Sequence, residues 1–144
     1  MGKNRAVTDD HAHELFDPGP DPNGRPVNGE LLGQFLGAGF DNCTSCQDPL
    51  LTLMADDAPT IARLVEVACM AAHSTLGGLP ASMTDPDVPG ISTLEFRRLA
   101  AAGLDGNSDA MFELCAQMTP TERRAAANTA ADTLIGYLFA GPPT

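Results

Sequence analysis

Apolar side chains along this chain recur at helical spacing. The clearest stretch starts at Asp57 and Pro59 and runs to about Leu76. Within it Ile61, Leu64, Val65, Ala68, Ala72 and Leu76 fall three or four residues apart and share one helix face. Gly77 and Gly78 are placed to end that helix. No alternating apolar–polar stretch of useful length, the mark of a half-buried strand, occurs anywhere. There is no internal repeat.

The remaining segments read the same way. Asn28 predicts the cap of a helix carrying Leu31, Leu32, Phe35 and Leu36, stopped by Gly37 and Gly39. Asp41 to Gln47 reads as a loop, after which Pro49 opens a short helix through Leu50, Leu51, Leu53 and Met54. Residues 79–90, rich in Pro, Asp and Gly, read as a loop. Ser92 and Glu95 have the spacing of a capping box, and Gly103 sits at a C-cap position. Ser108 or Asp109 starts a helix with Met111, Phe112, Leu114, Cys115 and Met118. Thr119-Pro120-Thr121-Glu122 combines a cap, a Pro at the first helical position and an acid three residues after the cap. It predicts a last helix through Ala127, Ala130, Ala131, Leu134 and Leu138, ended by Gly141-Pro142-Pro143.

Together these signals predict an all-α fold, a compact bundle of five or six short helices with an extended Pro/Asp-rich N-terminal arm. The arm is residues 1–27, the single helical domain 28–140, and the C-terminal tail 141–144. Asp17 to Pro26 carries four prolines, which remove amide donors and constrain their predecessors. It is acidic and poor in apolar anchors, so little offsets the entropy of ordering it.

Composition narrows the function classes. At 144 residues one core is expected, and with 5% aromatic residues and no Trp it is made mainly of Leu, Ala, Val, Met and a few Phe. The net charge of −11 opposes docking on phosphate backbones or anionic membranes and favours basic partners. Lys3 is the only lysine among many Ala and Gly, a bias expected of a GC-rich bacterial genome. No 18-residue apolar run or secretory h-region is present, so a cytoplasmic location is expected.

The constellation able to carry chemistry is Cys43-x2-Cys46 followed by Cys69-x3-His73. Two soft-ligand pairs, one on a turn and one on a helix face, suit a tetrahedral zinc site clamping the first loop to the long helix. Glu66 lies near the same helix edge as an acceptor for the His73 ring. Cys115 is the alternative fourth ligand, giving four cysteines able to hold zinc or an iron–sulfur cluster. The competing readings are a redox C-x2-C pair, a Cys69–His73 thiol–imidazole dyad, and ordinary small buried cysteines.

Other candidates are weaker. His11 and His13 lie on the arm, and Asp105 to Asp109 begins like a calcium loop but has Ala110 and Ala116 where Gly and Glu are required. Arg97-Arg98 and Arg123-Arg124 read as solvated helix faces, or as one small basic patch if they face the same way. Phosphate-binding, nucleophile-elbow and H-E-x-x-H motifs are missing from the sequence. The expected function is therefore macromolecular interaction, as a regulatory or accessory subunit with a protein partner met through the arm or the helical surface. A homodimer is compatible with the small-residue helix faces. The alternatives are a metal- or iron–sulfur-containing enzyme or electron carrier, and an acidic mimic of DNA.

Overall fold

The computed structural model describes residues 24–85, 87–88, 92–104 and 107–140, with side chains as far as 136. Most of the arm, including His11 and His13, lies outside the described residues, as do Asp105, Gly106 and the tail 141–144. Seven helices and no strand occur among the described residues: α1 Gly29–Phe40, α2 Thr44–Ala55, α3 Ala58–Leu76, α4 Ala81–Thr84, α5 Leu94–Ala102, α6 Ser108–Gln117 and α7 Pro120–Ala140. The all-α reading holds. The helix beyond the expected five or six is α4, a single turn inside the Pro/Asp/Gly-rich stretch.

Helix α3 is the hub. It packs along α7 and also against α6, α5, α2 and α1. Ala62, Ala68 and Ala72 of α3 and Ala126, Ala127, Ala130 and Ala131 of α7 are all buried in one core. Such small side chains let two helix axes approach closely. Phe35, Leu32, Leu36, Met54, Ile61, Leu64, Phe96, Leu99 and Leu134 fill the rest.

The capping signals act as their chemistry requires. Asn28 accepts from the Leu31 amide at 3.0 Å, and Asp57 from the Thr60 amide at 3.3 Å. Asn28 also donates its own amide to the buried Thr60 hydroxyl at 2.8 Å, tying the start of α1 to that of α3. Thr119 and Glu122 form the reciprocal box, at 2.9 and 3.2 Å. Gly77 takes the left-handed conformation, φ 77°, that terminates α3.

Three boundaries differ from expectation for identifiable reasons. Gly37 and Gly39 do not stop α1, which continues to Phe40; both are buried. A Cβ on Gly39 would lie 2.6 Å from Gln47 Nε2 and 2.7 Å from Ile135 Cδ1, so this glycine serves close packing. Helix α2 starts at Thr44, five residues before Pro49, so Cys46 sits in a first helical turn and not in a loop. Thr93 and not Ser92 caps α5, because its hydroxyl is fixed 2.7 Å from that of Thr129 on α7.

The arginine pairs are also not what their sequence suggests. Arg98 is exposed and Arg124 lies against Asp48 and Thr52 of α2, but Arg97 and Arg123 are buried. Arg97 donates to the carbonyls of Ser92, Asp85 and Val88, holding the α4–α5 connection onto α5. Arg123 donates to the Ala55 carbonyl at 2.7 Å, to that of Cys115 at 3.1 Å and to that of Met118 at 2.5 Å. These carbonyls belong to the last turns of α2 and α6, where unpaired oxygens and the negative ends of two helix dipoles converge. One guanidinium satisfies both ends.

Candidate functional site

Where α3, the end of α5 and the start of α6 meet, they leave an open cavity of about 670 Å³. Helix α3 lines it with Glu66, Cys69, Met70 and His73, spaced one turn or less apart on a single edge. Leu79 and Leu104 come from the connections, and Ser108 and Met111 from α6. The lining is mainly apolar with a few polar groups, the composition of a binding site. Two rim residues are strongly exposed for their type, Met70 at 56% and Leu104 at 43%. Gly103 also lines the cavity; a Cβ there would meet Met111 Cε, the movable end of a flexible side chain, at 2.5 Å. Its φ of −88° asks for no special residue.

The polar wall is a built network. Glu66 Oε1 accepts from Arg63 Nη1 at 2.7 Å, and Oε2 accepts from the Ser108 hydroxyl at 2.6 Å. Arg25 donates to Ser108 Oγ at 3.1 Å, pairs with Asp109 and stacks over the Phe112 ring 4.0 Å from its centroid. The chain entering α1 is thus pinned beside the cavity. Arg63 is buried, and its Nε has no hydrogen-bond partner among the described residues. Glu66 does not face His73 as an acceptor; its two oxygens are committed to Arg63 and Ser108.

Cys69 and His73 do line the same cavity, as their spacing implies, but no hydrogen bond joins them among the described residues. Burial, and then the charge of Glu66, push the Cys69 thiol up to about 12, so at neutral pH it is protonated and a poor nucleophile. Cys43 and Cys46 lie elsewhere, at the start of α2. Cys115 is fully buried in the core and donates to the Ala58 carbonyl at 3.4 Å. Burial raises its thiol to about 11 even though Arg123 pulls the other way. None of the four cysteines forms a disulfide. Among the described residues no group of three or more His, Cys, Asp or Glu side chains is gathered as a metal ion would need. Zinc on Cys43, Cys46, Cys69 and His73, and a cluster using Cys115, therefore stay expectations from spacing alone.

The two raised thiols set an alkaline signature. Their folded-state values of about 12 and 11 lie above the ordinary 9.0, so the native chain holds protons that the unfolded chain releases. This contribution to stability is complete below pH 9, declines above it, and is lost as pH passes 11 and 12. A Cys115→Ala variant should show a shallower fall in melting temperature between pH 9 and 11 than the wild type. An identical fall in both would remove Cys115 from this account.

Sequence reasoning missed Met70, Leu104, Ser108 and Met111 as companions of Cys69 and His73. The signal was indirect: Met70 is an apolar residue off the buried stripe of α3, and Leu104 is an apolar residue in the connection after α5. No helix here is long and apolar enough to cross a membrane among the described residues. No family model matches this chain, and comparison with curated proteins and with solved structures finds no significant match.

Proposed function

We propose that this protein is a binding module that docks an apolar side chain of a basic partner segment into the cavity between α3, α5 and α6. The observation that carries the reading is the open, mainly apolar cavity with Met70 and Leu104 exposed on its rim. Methionine adapts to varied apolar surfaces, and an anchor in a pocket is how interfaces concentrate their energy. The charge of −11 favours a cationic partner and speeds its approach at low salt. The protonated Cys69 thiol supports binding over nucleophilic catalysis. Asp48, Glu66 and Asp109 are engaged by Arg124, Arg63 and Arg25, which counts against a phosphate-like row of exposed acids.

The test is site-specific photocrosslinking in the source cell, with the probe at Met70, at Leu104 or at Leu53, an exposed apolar residue of α2 that is not part of the cavity lining. One common adduct from the first two positions and none from the third is the expected result. Leu104→Asp should then weaken the isolated complex by about 30-fold or more. Adducts that form equally from Leu53, or none at all, would refute the reading. A small molecule seen in the native mass spectrum, released by Leu104→Asp, would reassign the cavity to a metabolite-sized ligand.

A further inference from the structure

Outside the cavity, the junction of α1 and α2 brings two thiols together on a rigid frame. Asp41, Asn42 and Cys43 donate their amides to Gly37, Gly39 and Ala38 at 3.2, 3.0 and 2.9 Å, and Asn42 takes the left-handed conformation at φ 56°. Cys43 is thereby fixed as the N-cap of α2, and its carbonyl accepts from the amides of Cys46 and Gln47 at 3.1 and 3.0 Å. Both cysteines are partly exposed. Residues i and i+3 of a helical turn have Cα atoms about 5 Å apart, inside the roughly 4.4–6.8 Å a disulfide spans. Their Cβ atoms, about 5–6 Å apart in a regular turn, must close to about 4 Å. Pro49 eases that closure: it has no amide for the Ser45 carbonyl, so the first turn of α2 lacks one of its ties.

The side chains already interact. The Cys46 thiol is raised above its ordinary value first by its hydrogen bond with Cys43, then by burial and by the Cys43 charge, with Ser45 acting in the opposite direction. Cys43 Sγ is also 3.6 Å from Ser45 Oγ. The N-cap sulfur makes no capping hydrogen bond to the first-turn amides, and it lies at the positive end of the α2 dipole. The raised Cys46 thiol suits the second, resolving step, and Cys43 at the N-cap is assigned the attack.

We propose that Cys43 and Cys46 are a redox-active dithiol that exchanges with the disulfide of another thiol compound. The Cys43 thiolate attacks one sulfur of R–S–S–R, the S–S bond breaks, and one thiolate leaves and takes up a proton. Cys46 then releases its proton to solvent and attacks Cys43 sulfur in the mixed disulfide, expelling the second thiolate. The two protein thiols lose two electrons and two protons to form one intramolecular disulfide, and R–S–S–R is reduced to two R–SH. Cys69 and Cys115 take no part: each lacks a neighbouring thiol partner on its own helical turn, Cys115 is buried in the core, and burial holds both thiols protonated at neutral pH.

Glutathione disulfide at neutral pH, followed by alkylation and peptide mass spectrometry of the full chain, tests this. The expected product is a Cys43–Cys46 disulfide that a reduced glutathione buffer reverses, with Cys69 and Cys115 still alkylated after unfolding. Cys46→Ser should stop at a stable glutathione adduct on Cys43. Cys43→Ser should slow consumption of glutathione disulfide by about tenfold or more, while Cys115→Ala, outside the cavity lining, leaves the rate unchanged. Circular dichroism confirms that each variant is folded. Wild-type protein that accumulates the Cys43 adduct, forms covalent dimers, or reacts no faster than Cys43→Ser would overturn the proposal.

Discussion

Replacing Arg123 with methionine should lower the melting temperature on the order of 15 °C. The guanidinium is buried and donates to three carbonyls from the ends of two different helices. Methionine fills much of the volume but donates nothing. The carbonyls of Ala55, Cys115 and Met118 then lose their charged donor in a place water reaches poorly. Hydrogen bonds to charged groups contribute about 1.5–3 kcal/mol each and do not add fully, so the expected loss is about 3–5 kcal/mol. That is a large share of the roughly 5–15 kcal/mol by which a domain is stable. Arg123→Lys keeps the charge but not the planar array of donors, and should recover only part of the loss. Arg124→Met removes an exposed pair with Asp48 and should cost less than about 1 kcal/mol. Similar melting of the Arg123 and Arg124 variants would show that the buried contacts are not what holds α2 and α6 together.

Glu66→Leu should destabilise the protein by about 3–5 kcal/mol, and the double variant Arg63→Met/Glu66→Leu should recover most of it. The asymmetry follows from burial. The Arg63 side chain is 6% exposed and that of Glu66 18%, so removing the carboxylate leaves a cation in the interior whose Nε already has no partner among the described residues. Removing both charges abolishes the desolvation cost together with the attraction. Glu66→Gln should fall between, because an amide oxygen still accepts from Arg63 or Ser108 but carries no charge. Denaturant unfolding of the wild type, Arg63→Met, Glu66→Leu and the double variant closes a double-mutant cycle. Equal losses in Glu66→Leu and in the double variant would mean that Ser108, and the Arg25 contact behind it, carry the network instead.

Most local structure was legible because it depends on near neighbours. Asn28, Asp57 and the Thr119–Glu122 box cap helices through bonds that span three residues, and Gly77 ends α3 by its own backbone freedom. Signals whose meaning depends on distant partners were misread. Gly37 and Gly39 look like helix terminators until α2 and α7 are seen to crowd Gly39. Pro49 looks like a helix start until the Asn42 turn is seen to launch α2 five residues earlier. Arg97 and Arg123 look like surface charges until the carbonyls they satisfy are brought to them. In the candidate site, Cys69 and His73 were found by helical spacing. The facing wall, Gly103, Leu104, Ser108 and Met111, comes from residues about thirty or more positions away.

The sequence by itself determined the all-helical class, the caps, the apolar stripe of α3 and the acidic charge, since each follows from periodicity, local hydrogen bonding or composition. Only the tertiary structure decided that Glu66 answers Arg63 and Ser108 instead of His73, that Cys46 stands one helical turn from Cys43, and that Met70, Leu104 and Met111 surround one cavity. The reason is physical. A helix specifies its own hydrogen bonds within four residues, whereas the partner of a buried charge or the wall of a cavity is set by how α3, α5, α6 and α7 pack.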